Sequence, residues 1–113
     1  IGQVAHANYC STKAGVLGYT RALALDLAPY NVRVNSVSPG ATDTPMLQSD
    51  VAKQARDRGV DYDAVKKEFE EEGVLGRWAK AEEIATGILF LATDDSSYMT
   101  GADLRLDGGW TTK

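Results

Sequence analysis

"STKAGVLGYTRALALDLAPYNVRVNSVSPG", residues 11–40, joins a helical pattern directly to a strand pattern. Apolar residues recur through residues 11–28 with the spacing of a wide helical stripe, and Pro29 closes that pattern. Three valines then lie within residues 32–37, in a short β-prone run that stops at Pro39-Gly40. The stretch therefore predicts a buried helix followed by a strand that runs out to a loop.

Two glycines interrupt this helical pattern, at Gly15 and Gly18. Each costs about 1 kcal/mol relative to alanine in a helix interior. A backbone element that packs closely against the helix would explain the cost, since glycine permits such an approach. We therefore expect a neighbouring element on this face.

A second helix and strand follow later in the chain. Residues 81–93, "AEEIATGILFLAT", predict another buried helix, and residues 102–109, "ADLRLDGG", alternate apolar and polar positions like a strand with one buried face. Residues 41–76 are more polar and contain two helical candidates, near 46–57 and 62–72. We interpret this middle stretch as an excursion outside the core.

The order of helix, strand, excursion, helix and strand is typical of an α/β protein with a doubly wound parallel sheet. Two strands cannot form such a sheet alone, because a parallel pair needs neighbours and cover on both faces. Residues 1–113 are therefore predicted to hold about half of a larger domain.

Composition excludes several classes of function. The chain has 113 residues, of which 43% are hydrophobic and 25% charged, as expected for a soluble globular domain. Its net charge of −4 disfavours a nucleic-acid surface. With one cysteine, Cys10, it offers neither an internal disulfide nor a metal cluster, so we expect no metal and a reducing, cytoplasmic setting. No apolar run approaches the roughly 20 residues of a membrane span, and no membrane partner is expected.

Tyrosine and lysine stand four residues apart twice in the sequence. Tyr9 and Lys13 lie at the start of the first predicted helix, among small residues that leave room for a ligand. Because positions i and i+4 share one helix face, Lys13 could stand beside the Tyr9 ring and favour the phenolate. Tyr62 and Lys66 lie among charged residues and are interpreted as a solvated face. Tyr9 is therefore the candidate for proton transfer.

The loop after the first predicted strand is a second candidate site. In open α/β sheets, ligands bind beyond the carboxyl ends of strands. Gly40 would allow a ligand to approach the backbone, and the hydroxyls of Thr42 and Thr44 follow nearby. The alternative is that Pro39-Gly40 simply turns the chain.

Taken together, four segments resemble the short-chain dehydrogenase/reductase family over nearly the whole chain. Residues 7–40 resemble its active-site helix and following strand, and "TDTPM" at 42–46 resembles the entrance to its substrate loop. "GRWAKAEEIATGILFLATD" at 76–94 resembles its penultimate helix, and "YMTGADLRLDGG" at 98–109 its last strand. The bacterial 3-oxoacyl reductase, glucose dehydrogenase and polyol dehydrogenase types are equally similar.

The resemblance implies an enzyme that interconverts a secondary alcohol and a ketone by hydride transfer, with NAD or NADP as cofactor. Tyr9 would be the catalytic acid–base. Lys13 would favour the phenolate of Tyr9 and hydrogen-bond the nicotinamide ribose. A substrate loop over about residues 45–75 would set specificity.

The same resemblance implies cofactor-binding roles for Tyr9, Lys13 and the loop after the strand. Pro39, Gly40 and Thr42 would line the nicotinamide. The backbone of Thr42 and the hydroxyl of Thr44 would hold its carboxamide.

The resemblance implies that residues 1–113 are the C-terminal half of a single doubly wound, parallel-sheet, Rossmann-like domain, and the departures from the family pattern concern the N-terminal half of that domain. The Gly-rich phosphate loop, the residue that selects NAD over NADP and the catalytic serine all precede the tyrosine in the family, and none is present here. NAD is favoured over NADP, although the residues that select between these cofactors in the family have no match in this sequence. We expect the missing N-terminal half to be a partner of this chain, the chain alone to be inactive, and the protein to form a homotetramer or homodimer.

Two other functions stay open. A non-catalytic relative could keep the fold for ligand binding or assembly, and the absence of an upstream serine and Gly-rich turn in the intact product would favour it. A sugar-nucleotide epimerase or dehydratase would share Tyr-x-x-x-Lys. The short segment after Gly109 argues against that third class.

Overall fold

The computed structural model describes residues 7–113. Four helices and two strands follow one another along the chain: α1 Ala7–Leu27, β1 Ser36–Pro39, α2 Pro45–Arg58, α3 Tyr62–Glu72, α4 Ala81–Ala92 and β2 Asp103–Leu106. Short 3₁₀ turns cover Ala28–Tyr30, Asp94–Ser96 and Trp110–Thr112. The predicted order of elements is confirmed, although β1 is shorter than its valine pattern suggested and α1 already includes Ala7, four residues before its predicted start.

The end of α1 follows from local chemistry. Proline lacks an N–H for the helix ladder, and the turn that contains Pro29 ends the helix. Asn31 then takes a left-handed conformation, with φ of 57°, and its N–H donates to the carbonyl of Ala28. This arrangement is a common helix termination, and it releases the chain towards β1.

The two strands pair in parallel. Ser36 N–H donates to the carbonyl of Ala102 at 2.9 Å, and four residues later Gly40 N–H donates to Leu106 at 3.0 Å. Because both strands advance together between these two bonds, the pairing is parallel. The predicted α/β class is therefore confirmed.

The chain divides into two compact units, Ile1–Ser38 with Gly87–Leu104, and Pro39–Thr86 with Arg105–Lys113. In the first unit, Arg33 is the main polar anchor. Its guanidinium donates at 2.8–3.1 Å to the hydroxyl of Ser96 and to the backbone carbonyls of Leu91, Thr93, Ser96 and Met99. One side chain thus satisfies carbonyl groups left over where α4 ends.

The second unit has an apolar core between α2 and α3. Its buried members are Val51, Ala55, Val65 and Trp78. Val51 and Ala55 are one turn apart on the same face of α2, and Val65 of α3 is completely buried with them. The interpretation of residues 41–76 as an excursion outside the core was therefore wrong, since most of the buried apolar residues found in residues 7–113 belong to this unit.

The expected burial of α1 and α4 was also wrong for residues 7–113. Leu25 of α1 is 78% exposed, and Leu89 of α4 is 63% exposed. Side chains added at Gly15 and Gly18 would meet nothing within 4 Å. The apolar stripes are present, but no element among the described residues covers these positions. Within the same range, no helix is long and apolar enough to cross a membrane.

Candidate active site

Tyr9 and Lys13 lie one turn apart at the start of α1. The Nζ atom of Lys13 is 5.6 Å from the centroid of the Tyr9 ring, as the spacing predicts. Tyr9 is 56% exposed. The hydroxyls of the intervening Ser11 and Thr12 donate back to helix carbonyls, at 2.5 and 2.8 Å. Tyr9 and Lys13 thus place an exposed phenol and an exposed ammonium group one turn apart on α1.

The second tyrosine–lysine pair has a different role from the one predicted. Tyr62 packs against the core of the second unit and is partly buried. Lys66 places its Nζ atom 5.3 Å from the Trp78 ring centroid and 3.7 Å from a carboxylate oxygen of Glu70. The interpretation of this pair as a solvated face was wrong, because both side chains help to close the α2–α3 core.

Gly40 is required by a close backbone neighbour. A Cβ atom at this position would lie 2.8 Å from the Cα atom of Asp107, inside contact distance. The sequence suggested that Gly40 leaves space for a ligand. The structure instead explains this glycine by the close approach of the backbone just after β2. Pro39, the last residue of β1, is exposed beside it.

Thr42 forms an isolated parallel bridge with Ala79. Asp43 N–H donates to the carbonyl of Ala79 at 2.9 Å, and Ala79 N–H donates to Ala41 at 2.8 Å. Because the residues on either side of Thr42 make both bonds, its own N–H and carbonyl point away from Ala79. Its hydroxyl donates to the carbonyl of Gly40 at 2.9 Å. The Thr42 backbone therefore offers a donor and an acceptor side by side.

Thr44 is the N-cap of α2. Its Oγ1 atom accepts from the N–H of Leu47 at 3.3 Å, and Pro45 occupies the first turn of the helix. A hydroxyl that accepts one bond can still donate another. The predicted role of Thr44 as a hydrogen-bond donor to a ligand is compatible with this geometry.

The predicted site residues fall into two groups, each within one unit. Tyr9 and Lys13 are together in the first unit, and Pro39, Gly40, Thr42 and Thr44 follow one another in the second. Among residues 7–113, no group of three or more histidine, cysteine or acidic side chains is arranged to hold a metal ion.

Asp107 was missed at the sequence level. Its carboxylate accepts from the hydroxyl of Thr111 at 2.7 Å and from the N–H groups of Thr111 and Gly109 at 3.1 and 3.0 Å. The Thr111 hydroxyl in particular holds the pKa of Asp107 below its ordinary value. An aspartate followed by two glycines directly after a strand was the available signal, since this pattern is typical of a carboxylate that organises a turn.

Known proteins match this chain over almost its whole length. The family model described as enoyl-(acyl carrier protein) reductase matches residues 1–111. The 3-oxoacyl-(acyl-carrier-protein) reductase of Thermotoga maritima is 42% identical over 108 residues, which cover 96% of this chain and 39% of the relative. The chain thus spans about two fifths of that relative.

Solved structures agree with this match. A short-chain dehydrogenase family protein from Francisella tularensis superposes with a TM-score of 0.96 at 38% identity, over all of this chain and 47% of the other. An actinorhodin polyketide ketoreductase crystallised with NADPH gives a TM-score of 0.90 at 29% identity, over all of this chain and 43% of the other.

Proposed function

The chain belongs to the short-chain dehydrogenase/reductase family, and from this premise we propose that it is the C-terminal part of an NAD(P)-dependent oxidoreductase domain. The share of each relative that it spans supports this proposal. So do the uncovered apolar residues of α1 and α4, which the remainder of such a domain would cover.

The observation that carries the proposal is the pairing of Tyr9 with Lys13 on one exposed helix face. A phenol with an ammonium group one helix turn away is suited to proton transfer, because the phenol oxygen can give a proton to a reactant and take one back. In ketone reduction, Tyr9 would give its proton to the carbonyl oxygen as a hydride reaches the carbonyl carbon. In alcohol oxidation, the phenolate would take the proton back.

Residues of the second unit fit a nicotinamide. A primary carboxamide has one acceptor and two donor hydrogens, and the Thr42 backbone presents the complementary donor and acceptor on the side away from Ala79. Thr44 would donate its hydroxyl to the same group. A bound nicotinamide cofactor supplies or accepts the hydride, and the protein supplies orientation and the proton.

The substrate we propose is a ketone or the corresponding secondary alcohol. The names of the Thermotoga reductase and of the ketoreductase refer to carbonyl reduction. In this chain, α2 and α3 would close over the substrate and select it, as expected for residues 45–75. The preference for NAD over NADP and the cytoplasmic location stay predictions.

The test uses the complete protein that carries this chain. Purified protein is supplied with NADH or NADPH deuterated at the transferred position and with a panel of ketones that includes a 3-oxoacyl thioester. We expect one ketone to be reduced, with deuterium bound to the new carbinol carbon. Reduction without the label at that carbon would contradict direct hydride transfer, and comparison of the two cofactors tests the preference for NAD.

A second candidate function is a non-catalytic assembly or ligand-binding module. The exposed apolar residues of α1 and α4 favour it, because such faces also serve as contacts between subunits. A homotetramer or homodimer is compatible with either function. Tight cofactor binding by the complete protein without turnover of any ketone or alcohol would select the second candidate.

A further inference from the structure

We propose that the turn formed by residues 107–111, here called the terminal turn, positions the end of the substrate loop, and that Asp107 is its central positioning residue. The inference rests on the proposed function, which assigns substrate closure to residues 45–75. All the contacts that support it lie within the second unit.

Asp107 gives the terminal turn its shape. The three hydrogen bonds to its carboxylate come from Gly109 and Thr111, and its carbonyl accepts from the N–H of Trp110 at 3.1 Å. Gly109 itself has φ of 82°, a left-handed conformation that other residues adopt at a cost. Loss of the carboxylate would therefore release the turn.

The terminal turn contacts residues 73–75, here called the loop end. The N–H of Leu75, just past α3, donates to the carbonyl of Gly108 at 3.0 Å. A Cβ atom added at Gly73 would lie 3.3 Å from that same carbonyl oxygen. One added at Gly109 would lie 3.0 Å from two side-chain atoms of Val74. The backbones meet so closely that a shift of the turn shifts the loop end.

A second tie joins the same two segments. The Nζ atom of Lys113 donates to the carbonyl of Glu71 in the last turn of α3, at 2.9 Å. Helix carboxyl ends leave such carbonyls without helical partners and favour a cation. The residues around the terminal turn thus hold α3 at its last turn as well as just beyond it.

The terminal turn also reaches the loop that we assign to the nicotinamide. The backbones of Asp107 and Gly40 lie so close together that a Cβ atom added at Gly40 would be 2.8 Å from the Cα atom of Asp107. This contact uses the backbone of Asp107, whereas the turn depends on its carboxylate. Removal of the side chain should therefore loosen the substrate loop and leave the cofactor side in place.

The test compares Asp107→Ala and Asp107→Asn with Asp103→Ala in the complete protein. Asp103 is the first residue of β2, the strand that ends directly before Asp107, and its carboxylate accepts at 2.9 and 2.7 Å from the hydroxyls of Ser36 and Ser38 of β1. Two quantities are measured: hydrogen exchange of the Leu75 amide, and KM for the ketone beside Kd for the cofactor.

We expect Asp107→Ala to speed exchange at Leu75 and to raise KM for the ketone roughly tenfold, the effect of one or two lost hydrogen bonds. Cofactor Kd should stay within about twofold, because the backbone contact with Gly40 remains. Asp107→Asn should restore part of the loss, since its amide oxygen can still accept from Gly109.

Unchanged hydrogen exchange at Leu75 in both Asp107 variants would overturn the inference. It would also be overturned if Asp103→Ala raised KM for the ketone as much as Asp107→Ala does. If KM for the ketone and Kd for the cofactor rose together, Asp107 would have only a general structural role, and the inference would again be overturned. If Asp107→Ala fails to fold, Asp107→Asn carries the test. Absence of turnover in the unchanged protein would instead refute the proposed function, and Leu75 exchange would still decide whether the turn holds the loop.

Discussion

At the scale of single residues, the sequence predicted the geometry of Tyr9 and Lys13 because helical spacing alone brings them together. It could not predict why Gly40 is a glycine. The cause is Asp107, which is 67 positions away, and a contact over such a separation leaves no local pattern. The carboxylate of Asp107, by contrast, acts locally on Gly109 and Thr111, and the Asp-Gly-Gly sequence after the strand was a local signal for that role.

Replacement of Gly40 should be costly. In Gly40→Ala, the new methyl group would meet backbone atoms of Asp107 that cannot rotate away, so we expect a loss of roughly 1–3 kcal/mol in the free energy of unfolding. Denaturant titration of the 113-residue chain measures it. Gly18→Ala is the matched control, and at this open helical position it should be neutral or stabilising by up to about 1 kcal/mol. Equal effects of the two substitutions would contradict the contact.

Removal of the Thr44 cap should weaken α2. Thr44→Ala eliminates the acceptor for the N–H of Leu47, which should cost about 1 kcal/mol in the free energy of unfolding. Thr44→Ser keeps the cap and should recover most of that stability in the same titration. A serine variant no more stable than the alanine variant would argue that the methyl group of Thr44, and not its hydroxyl, stabilises the helix.

At the scale of elements, apolar spacing located α1 and α4, because such a stripe is a local property, and glycines at 59 and 73 delimited the candidates for α2 and α3. It did not show which stripes are covered. The stripe of α2 and α3 is buried because the two helices supply partners for each other, while α1 and α4 have residues such as Leu25 and Leu89 exposed. Burial of a helix face depends on a second element that packs against it, and the apolar pattern of one helix does not show which element that is.

The start of α4 should carry a pH-dependent contribution to stability. Hydrogen bonds from the Arg77 guanidinium, and then from the Lys80 N–H, lower the pKa of Glu83 to about 2. Because this folded-state pKa is depressed, the contribution is present above the ordinary value of about 4.3 and is lost as the pH falls towards the folded value.

Glu83→Gln should therefore be less stable than the unchanged chain at about pH 7, and the gap should shrink between about pH 4.5 and 2. Urea titrations over this range measure it. Glu82→Gln, one residue earlier in the same turn, keeps the Arg77 pair and should not alter the profile in this way. A gap in stability that stays constant with pH would refute the ion pair as its source.

At the scale of the whole molecule, the sequence predicted the α/β class and the parallel pairing of two strands. It reached the two groups of site residues separately, through a helical spacing around Tyr9 and a strand end before Thr42. The proposal that both groups serve one reaction relies on membership of the family. In the proposed function, substrate identity would depend on how α2 and α3 are placed against a ligand, which no spacing rule encodes.

The 113 residues alone should be inactive. The apolar faces of α1 and α4 are open in residues 7–113, and the family's phosphate-binding loop has no counterpart in the sequence. We expect the purified chain to bind a hydrophobic dye and to show no NAD(P)H-dependent turnover. Rapid turnover by this 12.1 kDa material would contradict the proposed division of the domain.

The proposal that Tyr9 is the catalytic acid–base is tested most directly by the turnover of the complete protein carrying Tyr9→Phe, with Tyr62→Phe as the matched control. Both substitutions remove one hydroxyl from a tyrosine that stands four residues before a lysine. If Tyr9 is the acid–base, Tyr9→Phe should lower kcat by about 10²–10⁴ and leave cofactor Kd nearly unchanged, while Tyr62→Phe stays close to full activity. Turnover by Tyr9→Phe within about tenfold of the unchanged protein would contradict the claim and move proton transfer to another group.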